Sequence, residues 1–225
     1  VTPFLQIGRA PIPGSAESLI LSRRGDEFSI QISGYVSELM NSRMHFSEDL
    51  LAEWGCQHLH GADASVLIGG LGMGFTLAAA LTTLGPAAAV TVAELVPGVI
   101  EWNRGPLGEC AGNPLADSRS RVHVGDVGAL IRSSQDAYDA ILLDVDNGPD
   151  AMTHPGNEQL YSLRGLASTK AALRTGGVLA IWSAEKNTRF TRRLREAGYT
   201  VEEKVARARP GKGARHMIWL AKRGL

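Results

Sequence analysis

Cysteine is nearly absent: Cys56 and Cys110 are the two in 225 residues. Two cysteines cannot make the framework of a disulfide-stapled fold, and nothing in their spacing suggests a zinc knuckle. No metal site is therefore expected, and a reducing cytoplasm is the simplest compartment. Long apolar runs are missing too. The longest, around Phe75–Leu81, is too short to span a bilayer and is broken by Thr and Gly, so no membrane partner is expected. Val1 to Arg9 has no charged stretch ahead of an apolar run, and no signal peptide is expected. Neither an internal repeat nor a low-complexity tract occurs. Net charge is also lacking, with 23 Lys+Arg against 23 Asp+Glu. A strongly basic nucleic-acid binder is thereby disfavoured, and nucleic acid is not an expected partner. The zero is nevertheless a cancellation. Residues 186–225 hold 12 basic and 3 acidic side chains, a balance of +9, so residues 1–185 carry −9.

What is present is the length and composition of one folded domain with a small extension. Residues 1–60 read as that extension. Leu19–Leu21 and Phe28–Ile32 are short β-like runs around the turn-forming Arg24-Gly25-Asp26, a hairpin. Ser47-Glu48-Asp49 looks like a helix start, a capping hydroxyl followed by two acids. Residues 61–225 alternate strand and helix. Strands are expected at Val66–Ile68, Val90–Ala93, Arg121–Val124, Tyr138–Leu143 and Val178–Trp182. Helices are expected at Phe75–Leu84, from Pro97 with proline in its first turn, at Gln159–Leu173 ended by Gly176-Gly177, and at Thr188–Ala197. Tyr199–Val205 and His216–Ala221 follow without an intervening helix and read as an antiparallel hairpin. Runs of Val, Ile and Leu between helices indicate an α/β fold with a mostly parallel sheet buried on both faces.

The chemistry-bearing residues fall at the ends of these strands. Gly69-Gly70-Leu71-Gly72-Met73-Gly74 follows the first strand and opens a helix, where glycines let a ligand approach bare backbone. Gly69, Gly70, Gly72 and Gly74 are the cofactor-binding candidates there. Twenty residues after Gly74, Glu94 closes the second strand, with Leu95 beside it. An acid there can accept from both hydroxyls of a ribose. Gly125-Asp126-Val127 ends the third strand. Asp126 can accept from an adenine amine, can cap the following helix, or can do both. Asp144 ends the fourth strand and is the candidate to orient or deprotonate a nucleophile. Asp146 reads equally as catalytic or as a solvated loop acid, and Asp150 as loop.

The phrases Val66–Gly74, Val92–Ile100 with its Glu-x-x-Pro-x-Val-Ile, Val124–Asp126, Leu143-Asp144 and Leu173–Leu179 resemble the polyamine aminopropyltransferases, the spermidine synthase family. The resemblance covers roughly residues 60–185. It implies a Rossmann-like class I methyltransferase sheet, mostly parallel with a C-terminal antiparallel hairpin, preceded by a short N-terminal hairpin and helix. It also implies S-adenosylmethionine or its decarboxylated form as co-substrate, a small amine as acceptor, and an oligomer such as a homodimer. The chain departs from the family pattern in the acceptor half. The usual Asp-x-x-Asp-Pro becomes Asp144-x-x-Asn147-Gly148, Tyr-His-Glu becomes Phe46-Ser47-Glu48, and the Gln after the fifth strand falls near Trp182-Ser183. Because those positions have changed, methyl transfer is the preferred expectation over aminopropyl transfer, with 3-amino-3-carboxypropyl transfer a third chemistry. A catalytically silent nucleotide-binding module and an RNA-modifying methyltransferase are the alternatives.

Other features have plainer readings. Cys56, His58 and His60 do not share one helix face and read as a helix end. Gly211-Lys212-Gly213 lacks the rest of a phosphate loop and reads as a hairpin turn. Trp182 and Trp219 read as core or pocket wall. Asn41–His45 is either a lid over the site or a loop.

Overall fold

The computed structural model describes residues 3–59, 63–145 and 159–224. Its smaller sheet is antiparallel with order β1-β2-β3-β4, formed by β1 (Leu5–Pro11), β2 (Ser18–Arg24), β3 (Glu27–Ile32) and β4 (Glu38–Asn41). The hairpin expected around Gly25 is its centre. The flanking strands extend that expectation. β1 is mostly exposed and contains Gly8 and Pro11, and β4 has only four residues, so neither shows a half-buried alternation. Register places Leu19 opposite Ile32 and Ile30 opposite Met40, building an apolar surface from separate stretches.

The larger sheet has order β10-β11-β9-β8-β5-β6-β7. Its members are β5 (Ser65–Gly69), β6 (Ala89–Glu94), β7 (Ser120–Val124), β8 (Tyr138–Leu143), β9 (Leu173–Ser183), β10 (Tyr199–Arg209) and β11 (Lys212–Arg223). β5 to β9 pair in parallel, while β11 pairs antiparallel with both β9 and β10. The expected parallel sheet with a terminal antiparallel hairpin is thus present. Strand order reverses at β5, between β6 and β8. Such a switch point opens a crevice beyond the carboxyl ends of the strands.

Helices α1 (Phe46–Cys56), α2 (Phe75–Thr83), α3 (Pro97–Arg104), α4 (Val127–Arg132), α5 (Leu163–Ala172) and α6 (Thr188–Glu196) cover the sheet. The strands alternate between two cores. Val66, Ile68, Leu142, Ala180 and Ile218 face α1 and α2, whereas Leu67, Ile141, Leu143, Leu179 and Trp219 face α4 to α6. On α6, Phe190 and Leu194 are buried while Arg189, Arg192 and Arg195 are exposed, so much of the basic C-terminal excess is solvated. No helix among the described residues is long and apolar enough to cross a membrane.

Three local expectations differ from the structure. Ser47 lies inside the first turn of α1 and does not cap it. The Glu48 and Asp49 N–H groups donate instead to the His45 carbonyl, at 2.9 and 3.0 Å. The pair Gly176-Gly177 does not end a helix. α5 stops at Ala172 because Leu173 already pairs with Tyr138, and Gly176 takes φ +78° where the β8–β9 register shifts. The late strands run longer than their apolar centres, meeting at Arg209 and Lys212 around the expected turn.

α1 packs against α2, β8 and β9. Gly55 permits that approach: a Cβ there would collide with Leu142 Cδ2 and sit 3.1 Å from Ala180 Cβ. Gly55→Val should therefore lower stability by about 1–3 kcal/mol through overpacking. Urea denaturation checks this, and an unchanged midpoint would show that α1 does not bear on the sheet here.

Candidate active site

A cavity of about 660 Å³ opens at the carboxyl edge of the large sheet, under the small sheet. The backbone lays out its floor. Gly70 N–H donates to Ala93 O, Gly125 N–H to Glu94 O and Asp144 N–H to Gly69 O, each at 2.9 Å. Four strand ends, of β5, β6, β7 and β8, are thus stitched side by side before their loops diverge. Gly70 adopts φ +89°, and a Cβ on it would strike the Asp144 carbonyl oxygen. Only glycine fits that crossing.

Glu94 is buried. Its Oε2 accepts from Leu71 N–H at 2.9 Å and its Oε1 from Val96 N–H at 2.8 Å. One carboxylate therefore holds the glycine loop against the start of α3. Each oxygen retains a lone pair for a further donor such as a ribose hydroxyl. Burial pushes its pKa above the ordinary carboxylate value, while the Val96 and Leu71 N–H groups pull it back. Asp126 caps α4, with Oδ1 accepting from Gly128 N–H and Oδ2 from Ala129 N–H, both at 2.9 Å. It also lines the cavity with Gly125 and Val127.

Asp144 is half-buried at the cavity floor, where Thr76 Oγ1 donates to its Oδ2 at 2.6 Å. Glu48, from the first turn of α1, lines the same cavity and accepts from Ser47 Oγ at 2.6 Å. Both carboxyls titrate high. Burial raises Asp144 to about 6, against the Thr76 hydrogen bond. Burial and then the Asp144 charge raise Glu48 to about 7, against the Ser47 hydrogen bond. Two half-buried carboxylates in electrostatic contact resist both being ionised, so the pair holds a proton near neutrality.

Among the candidates from sequence, Gly70, Gly72, Glu94, Leu95, Gly125, Asp126, Val127 and Asp144 line one cavity. Gly69 and Gly74 do not. Gly69 ends β5 against Leu143 and Val127, and Gly74 sits at the N-terminus of α2 facing Asn103. Asp146 lies outside the described residues, as do Asn147, Gly148 and Asp150. The lid-or-loop stretch is divided: Asn41 belongs to β4 and lines the cavity, while His45 stacks on Phe75 with ring centroids 4.0 Å apart. Trp182 is pocket wall and Trp219 is core.

Sequence reasoning missed the roof and the acid's support. Leu19, Ile30, Ile32, Leu39 and Met40 from the small sheet cover the cavity, and Thr76 positions Asp144. The available signal was weak. It consisted of the alternation within Leu19–Leu21 and Phe28–Ile32, and a hydroxyl two residues after the last loop glycine.

A mostly parallel sheet closed by a C-terminal antiparallel hairpin is the class I methyltransferase-like fold. The Spermine/spermidine synthase domain profile matches residues 45–198, and the chain belongs to that family. Solved structures agree on the fold. A spermidine synthase in complex with the transition-state analogue AdoDATO is similar at TM-score 0.73 and 17% identity, over 97% of this chain and 72% of that one. Spermidine synthase from Thermotoga maritima is similar at TM-score 0.75 and 17% identity, with the same coverages. A probable spermidine synthase from Corynebacterium glutamicum gives TM-score 0.65 and 18% identity, over 98% and 81%. No curated protein sequence matches the chain.

The raised Glu48 pKa fixes a stability prediction. The folded state holds a proton that the unfolded chain releases near pH 4.5, so stability falls as pH rises from about 4.5 to about 7 and then levels. Glu48→Gln should flatten that stretch and raise stability at pH 8 by about 1–3 kcal/mol. Denaturant titrations at pH 5 and pH 8 measure it. Equal pH dependence in both proteins would mean Glu48 is ionised throughout.

Proposed function

We propose that the chain transfers an aminopropyl group from decarboxylated S-adenosylmethionine to a small amine. The observation that carries this reading is the half-buried Glu48–Asp144 pair, in the same cavity as Glu94 and Asp126. Glu94 and Asp126 hold the adenosine, and the Gly70–Gly72 backbone passes the sulfonium end. An amine enters as an ammonium ion, and an acidic cavity favours that cation. One carboxylate of the pair takes its proton. The neutral nitrogen then attacks the carbon beside sulfur: the C–N bond forms, the C–S bond breaks, and its electron pair leaves with methylthioadenosine. The protein contributes alignment in a partly dry cleft and a proton acceptor matched to neutral pH.

The sequence alone favoured methyl transfer. Family membership and charge now weigh toward the aminopropyl donor. The carboxylate of S-adenosylmethionine would meet Glu48 and Asp144 with like charge, whereas the decarboxylated donor presents an ammonium group. Trp182, near the place of the family's Gln, lines the cavity and with the apolar roof leaves a less polar acceptor half. Putrescine is the first amine to try, with longer and more apolar amines beside it.

Calorimetry with methylthioadenosine and S-adenosylhomocysteine, with mass spectrometry of donor–putrescine mixtures, tests the proposal. Methylthioadenosine should bind more tightly than S-adenosylhomocysteine, and the product should gain an aminopropyl mass. Glu94→Ala should abolish nucleotide binding. Asp144→Asn should keep binding and lose ~10²-fold or more in kcat. Methyl-shifted products with S-adenosylmethionine would refute the aminopropyl assignment, and failure to bind any of these nucleotides would refute the enzyme reading.

A further inference from the structure

Glu48 has a second connection, leading away from the reaction. Ser47 Oγ donates to Glu48 Oε2 at 2.6 Å, and His216 Nδ1 lies 2.8 Å from the same Ser47 Oγ. Ser47 is completely buried, whereas His216 on β11 is only half-buried. The imidazole is held edge-on to Trp182, with centroids 4.7 Å apart at 64°, and Trp182 is a wall of the cavity. Chain positions 47, 48, 182 and 216 thus form a continuous hydrogen-bonded and packed line from the cavity floor toward solvent. A hydroxyl between a carboxyl and an imidazole can accept on one side while donating on the other.

We infer that Ser47 and His216 form a proton-exit relay that empties the Glu48–Asp144 pair. The inference rests on the amine-transfer reading. A turnover that consumes an ammonium ion leaves one proton on a carboxyl of the cavity, and that proton must leave before the next turnover. Glu48, protonated, donates to Ser47 Oγ. Ser47 passes its own proton to His216 Nδ1, which makes the imidazolium. His216 then loses the Nε2 proton to water. Glu48 is then a carboxylate again and Ser47 donates to it, with the imidazole left as its Nδ1–H tautomer; rotation of the ring toward solvent and proton exchange with water restore the Nε2–H form, whose free Nδ1 accepts the next proton. One proton has moved outward, and no bond to carbon has changed.

The acidities suit the transfer. Burial raises Glu48 to about 7 and pushes His216 below its ordinary value, so the imidazolium holds the proton only in passing and readily yields it to water. The charged groups around the line are few. Asp144 from β8 faces Glu48. His45 and Asp49 pair with each other at 2.8 Å at the start of α1. From β10, Lys204 sits over the Trp54 ring at 5.0 Å and lies 3.7 Å from Glu202.

The test separates a relay from a tether between α1 and β11. His216→Gln keeps a hydrogen-bonding side chain but cannot take up the proton. NMR titration of the imidazole is the first measurement. His216 should show a second inflection reporting Glu48, lost in Glu48→Gln and in Ser47→Ala and restored in Ser47→Thr. With decarboxylated S-adenosylmethionine and putrescine, His216→Gln and Ser47→Ala should lower kcat ~10²-fold at pH 7, leave KM within about twofold, and recover as pH rises. Free imidazole should rescue His216→Gly. A His216 titration identical in wild type and Glu48→Gln, or an unchanged kcat–pH profile in His216→Gln, overturns the relay. If wild type turns over no donor–putrescine mixture, the proposed function fails on its own, while the NMR linkage still decides whether the relay exists.

Discussion

The site depends on one buried carboxylate accepting two backbone N–H groups. Glu94 sits at the end of β6, where the chain leaves the sheet, and it receives Leu71 from the glycine loop and Val96 from the approach to α3. Without it, two buried donors would lose their partner, and each such loss costs about 1–3 kcal/mol. The side chain therefore shapes the loop before any ligand arrives. The close crossing of Gly70 over the Asp144 carbonyl adds a second fixed point. Together they bring the ends of β5, β6 and β8 into one rigid frame, and the cavity is the space left over.

Within that frame the two halves of the cavity obey different rules. The half proposed for the nucleotide is built from backbone geometry and from carboxylates whose oxygens are already hydrogen-bonded. Its electrostatics are settled by folding. The other half is built from Glu48 and Asp144, which share an environment too dry to ionise both. By the proposed function that half exchanges one proton, held between Glu48 on α1 and Asp144 after β8. The direct contact of Gly55 with β8 and β9 fixes where Glu48 stands, so the packing of a helix end decides an acid–base property two turns away.

Much of this was legible in the sequence. Buried strands such as Val66–Ile68 and Ile141–Leu143 announce themselves by unbroken apolar runs, and the loop acids follow because strand ends are easy to locate. Glu94, Asp126 and Asp144 were found in that way. The roof was not, because β1 is exposed and β4 is short, and pairing alone makes them strands. Ser47 was taken for a helix cap on local grounds. Its actual partner lies 169 residues away on β11, a distance that no local pattern encodes. Gly176-Gly177 misled for a similar reason: a strand partner at Tyr138 claimed Leu173 and moved the helix end.

The small sheet has one more consequence. Met40 approaches Gly72, so β4 touches the glycine loop itself, while Leu19, Ile30 and Ile32 line the space beyond it. Under the proposed function, the nucleotide is met almost entirely by residues 70–127, and the roof over the acceptor is drawn from residues 12–41. Those stretches can diverge independently. Substitutions in the roof can reshape which amine is admitted while the reading of the nucleotide stays intact. A chain of this design can change its clientele without relearning its chemistry.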